Sequence, residues 1–275
     1  MPRCPKTTCS QAYAERLSAT SMAELSEVAP GVLVATSRRD STTSTVVVSG
    51  RSALLVDPAW EPDELVGIAD AVEALGLRVG GGFATHAHYD HLLWHPRFGD
   101  GPRWASAGTV DRAAQQREQL VAELGPDWPP ELAELVGRLQ VAVNDLADTT
   151  TEPVMLLEHD GHCPGHTALW LAERRVLIAG DMLSDVELPL PHDPDDLAEY
   201  FKGLELLAPY VRQADVLIPG HGSPTDRPVR RLDSDRRYLD ALIAGIEPAD
   251  PRRELPGMDQ AHRRNVEIAA GFARR

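Results

Sequence analysis

The sequence predicts an α/β fold whose strands end in loops that carry chemistry. Near the amino terminus, three β-rich runs are followed by a helical pattern and another apolar run, the order of a crossover unit within one sheet. Further on, strand-like runs give way, each beside a glycine, to Gly165-His166, Gly180-Asp181 and Gly220-His221. Open α/β sheets place their sites outside the carboxyl ends of strands.

Residues 1–25 lack apolar periodicity and are expected to form a disordered leader, with Met22 as a second plausible start; residues 26–275 form the folded domain. The runs 31–35, 44–48 and 53–56 read as a meander of strands. A helix is expected over 61–76, where Leu65, Ile68, Ala69, Val72 and Leu75 recur at three- and four-residue steps. Pro62 suits its first turn and Gly76 its stop. A buried strand over 79–84 follows. Residues 109–147 carry two helical patterns broken at Gly125-Pro126-Asp127-Trp128-Pro129-Pro130, read as an inserted helical hairpin. A lid over the site and a packing pair on the outside of the fold are both open readings of it.

Short strands are expected at 154–158, 168–172 and 175–179, then a helix capped by Asp193 with Pro194 at its first position. Its buried stripe is Leu197, Tyr200, Phe201, Leu204 and Leu207. Strand 216–218, a helix over 233–245 and a proline-containing tail over 248–275 with a terminal helix complete the chain.

Composition narrows the function. At 275 residues, 43% hydrophobic and 25% charged, the chain has the make-up of a globular protein with a substantial core. Its formal net charge of −15 opposes polyanions, whose affinity comes from phosphate neutralisation, so nucleic acid is not expected as a partner and a nuclease would need a local basic patch. No apolar run approaches bilayer-spanning length and the first residues lack the core of a secretory signal. A cytoplasmic protein acting on a small molecule, without membrane contact, is expected. Cys4, Cys9 and Cys163 cannot make a disulfide framework. Cys163 reads as a small buried residue or a thiol beside a metal.

The densest chemistry lies in Thr85-His86-Ala87-His88-Tyr89-Asp90-His91. Side chains two apart on an extended chain point the same way, so His86 and His88 can grip one ion. A tight turn after His88 would aim Asp90 and His91 at a second. Histidine and aspartate are common zinc ligands, and such density is unusual for a loop that only meets water. His95 is a further candidate nearby.

With His166, Asp181, His221 and the upstream Leu54-Leu55-Val56-Asp57-Pro58, these motifs resemble the metallo-β-lactamase-fold superfamily, whose ordered pattern is HxHxDH, His, Asp, His. The resemblance spans roughly residues 28–225. It implies a four-layer αββα sandwich and two divalent ions, zinc first, with manganese or iron as alternatives. His86, His88 and His166 would hold one ion, Asp90, His91 and His221 the other, and Asp181 would bridge them. Asp90 and Asp181 then serve catalysis as well as binding, and Asp57 is expected to orient a ligand. Tyr200 lies where lactonase relatives place a tyrosine that touches substrate oxygen, with core packing as the competing reading.

The resemblance implies hydrolysis of an ester-type bond (thioester, lactone or simple ester) by a hydroxide shared between the ions. Aspartate at position 181 separates the chain from the β-lactam-cleaving subclass that carries cysteine there. His88 separates it from diiron flavoproteins, which carry glutamate. The alternatives are a persulfide-dioxygenase-like oxidoreductase with one iron at His86, His88 and His166, a ribonuclease Z-like phosphodiesterase, and a metal-binding scaffold without catalysis.

Overall fold

The computed structural model describes residues 24–142, 146, 152–191 and 195–272. Most of the expected leader, with Cys4, Cys9 and Met22, lies outside them, as do Asp193 and Pro194. The first sheet runs in chain order through β1 (Ser26–Ala29), β2 (Val32–Thr36), β3 (Thr43–Ser49), β4 (Ser52–Val56), β5 (Arg78–Phe83), β6 (Arg103–Ala105) and β7 (Gln140–Val141). Its first four strands form the antiparallel meander, and β4 to β7 pair in parallel. Helix α1 (Pro62–Ala74) makes the crossover from β4 to β5. Helices α2 (Ala107–Gln115), α3 (Arg117–Glu123) and the one-turn α4 (Pro130–Ala133) stand between β6 and β7.

The second sheet is built from β8 (Val154–His159), β9 (His166–Leu171), β10 (Val176–Gly180) and β11 (Val216–Pro219), in the order β11-β10-β9-β8. Helix α5 (Leu197–Val211) links β10 to its parallel neighbour β11, and α6 (Pro228–Ile243) and α7 (Met258–Phe272) follow.

Strand alternation sorts the apolar side chains into layers. In β4, Leu54 and Val56 face the second sheet and meet Val176 and Ile178 of β10, while Ala53 and Leu55 face the helices. On that side they join Leu65, Ile68, Ala69 and Val72 of α1. On the far side, Leu177 and Ala179 of β10 join Leu204, Leu207 and Val211 of α5 with Leu232 and Leu239 of α6. The result is the expected αββα sandwich. Among the described residues, no helix is long and apolar enough to cross a membrane.

The fold departs from expectation in three ways. Strands β1, β6 and β7 are new, and with four, three and two residues they are too short for alternation to register. The insertion is not a simple hairpin. Gln116 leaves the helical region (φ −106, ψ 12) and splits the first pattern into α2 and α3. The second helix stops after one turn, and Gly137, at φ +64, donates its N–H to Leu92 O. Leu120, Leu124, Trp128, Leu132 and Val136 pack into the same core cluster as Trp60 and Leu92. Finally, α5 begins at Leu197, where Asp196 caps it by accepting from the N–H groups of Ala198 and Glu199.

Candidate metal centre

β5 delivers the first candidate ligands. Its extended conformation persists through His88 (φ −103, ψ 153), and a single 3-10 turn over Tyr89–His91 then re-aims Asp90 and His91. Two donor groups result. In one, His86 Nε2 lies 3.0 Å from His88 Nδ1 and 3.2 Å from Asp181 Oδ2. His162 Nε2 stands 3.1 Å from His88 Nδ1 and 3.5 Å from Asp181 Oδ2. In the other, His91 Nε2 and His221 Nε2 are 3.3 Å apart, and each lies 3.4–3.5 Å from Asp90 Oδ2. Asp181 closes this group too, with Oδ1 3.2 Å from His91 Nε2 and Oδ2 3.3 Å from His221 Nε2.

These residues fit a metal. Four donors bound tetrahedrally at about 2.0–2.1 Å must lie roughly 3.3–3.4 Å from one another, close to the spacings found here. Asp181 Oδ1 is buried without a hydrogen-bond partner, an expensive arrangement that a bound cation would relieve.

The surroundings fix the ring orientations. Asp57 accepts from Thr85 N–H (2.8 Å) and Thr85 Oγ1 (2.6 Å), and from Nδ1 of His91 at 2.9 Å. With the Thr85 hydroxyl proton committed to Asp57, its oxygen accepts His86 Nδ1–H at 2.9 Å. His221 Nδ1 donates to Asp40 O at 2.8 Å. Each bond leaves the Nε2 lone pair of its ring facing the donor group. Thr42 Oγ1 steadies Asp90 by donating to Oδ2 at 3.0 Å.

His166 takes a different place from the one expected. The backbone N–H of Asp181 donates to its Nε2 at 3.1 Å, and its Nδ1 faces His159 Nε2 at 3.2 Å, so both ring nitrogens are engaged by protein. His162, four residues earlier, supplies the imidazole to the group of His86, His88 and Asp181. The His166 ring also explains Gly180 (φ +56), where a Cβ would stand 2.4 Å from Nε2.

Other candidates lie outside the groups. Tyr200 is buried in the α5 core layer, and burial, with Asp235 nearby, raises its hydroxyl well above its usual value. His95 caps a 3-10 turn, its Nδ1 accepting from Arg97 N–H. Burial pushes the Cys163 thiol up to about 12, which keeps it unreactive. Glu187, which no motif marked, brings a carboxylate to within 4.8 Å of the Asp181 and His221 donors.

The electrostatics follow from burial and from the shared carboxylates. Burial lowers His86 well below the ordinary histidine value and His162 to about 3. It is the largest influence on His91 and His221 too and opposes their charge, yet the carboxylates around them together outweigh it, Asp181, Asp90 and Asp57 at His91 and Asp181, Glu187 and Asp90 at His221, and hold both well above that value. Burial would raise Asp181, but His91, His221 and His86 hold it well below the usual carboxylate range. Burial pushes Glu187 up to about 7, Asp181 adding to the rise against the pull of His221. Cations in these groups would replace the histidine protons, so metal uptake must release protons.

His159, beside but not within the groups, gives a pH prediction. Burial lowers it to about 4, so between the unfolded value near 6.5 and about pH 4 the unfolded chain binds a proton that the folded one refuses. Its contribution is fully present above pH 6.5 and is lost as pH falls through 4, at up to about 1.4 kcal/mol per pH unit. Urea denaturation across this window should show a shallower acid slope for His159→Gln than for the wild type. Equal slopes would remove His159 as the cause.

Comparisons place this geometry in a family. The sequence profile described as the metallo-beta-lactamase superfamily matches residues 37–244. Among solved structures, a beta-lactamase domain protein from Burkholderia ambifaria superposes with a TM-score of 0.64 at 22% identity, covering 92% of this chain and 88% of its own. A metallo-beta-lactamase family protein from Thermus thermophilus gives 0.63 at 20% identity, over 90% and 94%. The mono-zinc form of the metallo-beta-lactamase FIM-1 from Pseudomonas aeruginosa gives 0.58 at 17%, over 91% and 96%. At these identities the structures speak for the fold, and the profile match, spanning most of the chain, carries the assignment: the chain belongs to the metallo-beta-lactamase superfamily.

Proposed function

We propose that the protein is a metal-dependent hydrolase of an ester-type bond in a small molecule, a thioester, lactone or simple ester, working with two divalent ions, zinc first. The observation that carries this reading is one carboxylate, Asp181, facing two complete donor groups at once. When bound, such a pair supplies a water acidified toward a pKa of about 7 and a Lewis acid for the carbonyl.

The chain's own residues prepare that chemistry. Asp57 and Thr85 hold His91 and His86 in the tautomers that present Nε2, and the carbonyl of Asp40 does so for His221. His166 holds the backbone of Asp181. The donor side chains are therefore oriented before substrate arrives, with little left to reorganise. No serine or cysteine nucleophile is needed, in keeping with the inert Cys163 thiol. The acidic net charge favours a small molecule over nucleic acid.

The test is metal analysis by mass spectrometry, followed by a panel of thioesters and lactones. Two divalent ions per chain with hydrolysis is the expected result. A single iron with oxygen uptake would favour the oxidoreductase, and bound metal without turnover a scaffold; either sinks the proposal.

A further inference from the structure

Glu187 lies in the stretch that leaves β10 after Asp181 and precedes α5. It is half-buried, and its carboxylate has neither a hydrogen-bond donor nor an ion-pair partner among the described residues. Yet its backbone is held firmly. Its N–H donates to Ser184 Oγ at 2.9 Å, and its carbonyl accepts from Arg252 Nη1 at 2.9 Å. Ser184 Oγ in turn donates to the carbonyl of His221 at 2.8 Å, and Arg252 Nη1 also reaches Ser184 O at 2.9 Å. Arg252 is anchored by Asp235 (2.7 Å) and Asp250 (2.8 Å), so the tail before α7 locks this stretch against the ligand His221. The fold thus fixes an unpartnered carboxylate within 4.8 Å of the Asp181 and His221 donors, where Asp181 Oδ1 is itself buried without a hydrogen-bond partner.

We propose that Glu187 is a further ligand of the ion at Asp90, His91, Asp181 and His221, and that it widens the chemical difference between the two metal positions. This inference rests on the two-ion reading above. With Glu187 the second position offers three carboxylates and two imidazoles; the first offers three imidazoles and one carboxylate. Imidazole-rich, four-donor sites suit zinc, whereas oxygen-rich sites of higher coordination number suit harder ions such as manganese. The second position therefore accepts manganese more readily than the first, with Glu187 adding a third carboxylate and a fifth donor to the difference that Asp90 begins. A carboxylate that served only solubility would not need its main chain clamped at both ends.

The test uses the full-length protein, stripped with chelator, reloaded with one equivalent of zinc and titrated with manganese, the free ion being read by electron paramagnetic resonance. The wild type should take up one manganese per chain and keep its zinc. Glu187→Gln preserves shape and removes charge; its manganese affinity should fall by about 10–100-fold, the scale on which even outer-shell partners of a metal act. Its zinc retention and melting temperature should stay at the wild-type values, and Glu187→Asp, with a shorter arm, should fall between the two. Equal manganese affinity in the wild type and Glu187→Gln overturns the role of Glu187 and leaves the two-ion reading standing. A wild type that takes up no second ion, manganese or zinc, overturns both.

Discussion

Asp181→Asn is expected to strip the protein of one ion and of nearly all its turnover while leaving it folded. Two dications about 4 Å apart repel by roughly 16 kcal/mol at an effective dielectric of 20, so a pair needs negative charge between its members. Asp181 is the carboxylate placed to provide it, with Oδ1 toward His91 and Oδ2 toward His86, His162 and His221. Asparagine keeps the shape and removes the charge. The position of His86, His88 and His162 retains three imidazoles, so the ion at Asp90, His91 and His221 should leave first. Hydrolysis should then fall by several orders of magnitude, since one of two activating cations is gone. Metal stoichiometry by mass spectrometry, read beside ester hydrolysis and the melting temperature, checks this. Two retained ions and a near-wild-type rate would mean that Asp181 is not shared.

What was legible in the sequence depended on how local the signal was. The αββα layering came from the resemblance carried by the ordered motifs, because β4 and β10 are apolar on both faces and show no alternation; α1 could be read directly, since it repeats at helical spacing. The first candidate ligands could be read because His86, His88, Asp90 and His91 crowd into one strand end, where geometry leaves few choices. Asp181 and His221 stood at the ends of β10 and β11, beside glycine, and the structure brings both to the cluster. His162 was hidden by its neighbour. Both histidines of Gly161-His162-Cys163-Pro164-Gly165-His166 flank the same turn, and His166 matched the ordered motif pattern that His162 did not. The signal that separates them is that His166 already belongs to β9, paired across the sheet with His159, whereas His162 lies in the loop at the strand ends. Glu187 left no trace at all, being an acidic residue in an unpatterned stretch whose position depends on Arg252, 65 residues away.

The paired substitutions His162→Ala and His166→Ala should separate a ligand from a support. His162 presents Nε2 to His88 and Asp181, so its loss leaves that donor group with two imidazoles and a carboxylate. This variant should lose the ion at that position and turn over several orders of magnitude more slowly. His166 instead accepts the N–H of Asp181, so His166→Ala leaves a buried donor unmatched and opens a cavity beside Gly180. Those two effects together cost about 2–4 kcal/mol. For a chain of this size that is a fall in melting temperature of roughly 5–15 °C, read by calorimetry. Both ions should remain, and His166→Gln, whose side-chain oxygen can accept the same N–H, should recover part of the lost stability. The reverse pattern, with metal lost from His166→Ala and kept by His162→Ala, would hand the ligand role back to His166. The contrast does not depend on knowing the substrate, because metal content and melting temperature report the two roles separately.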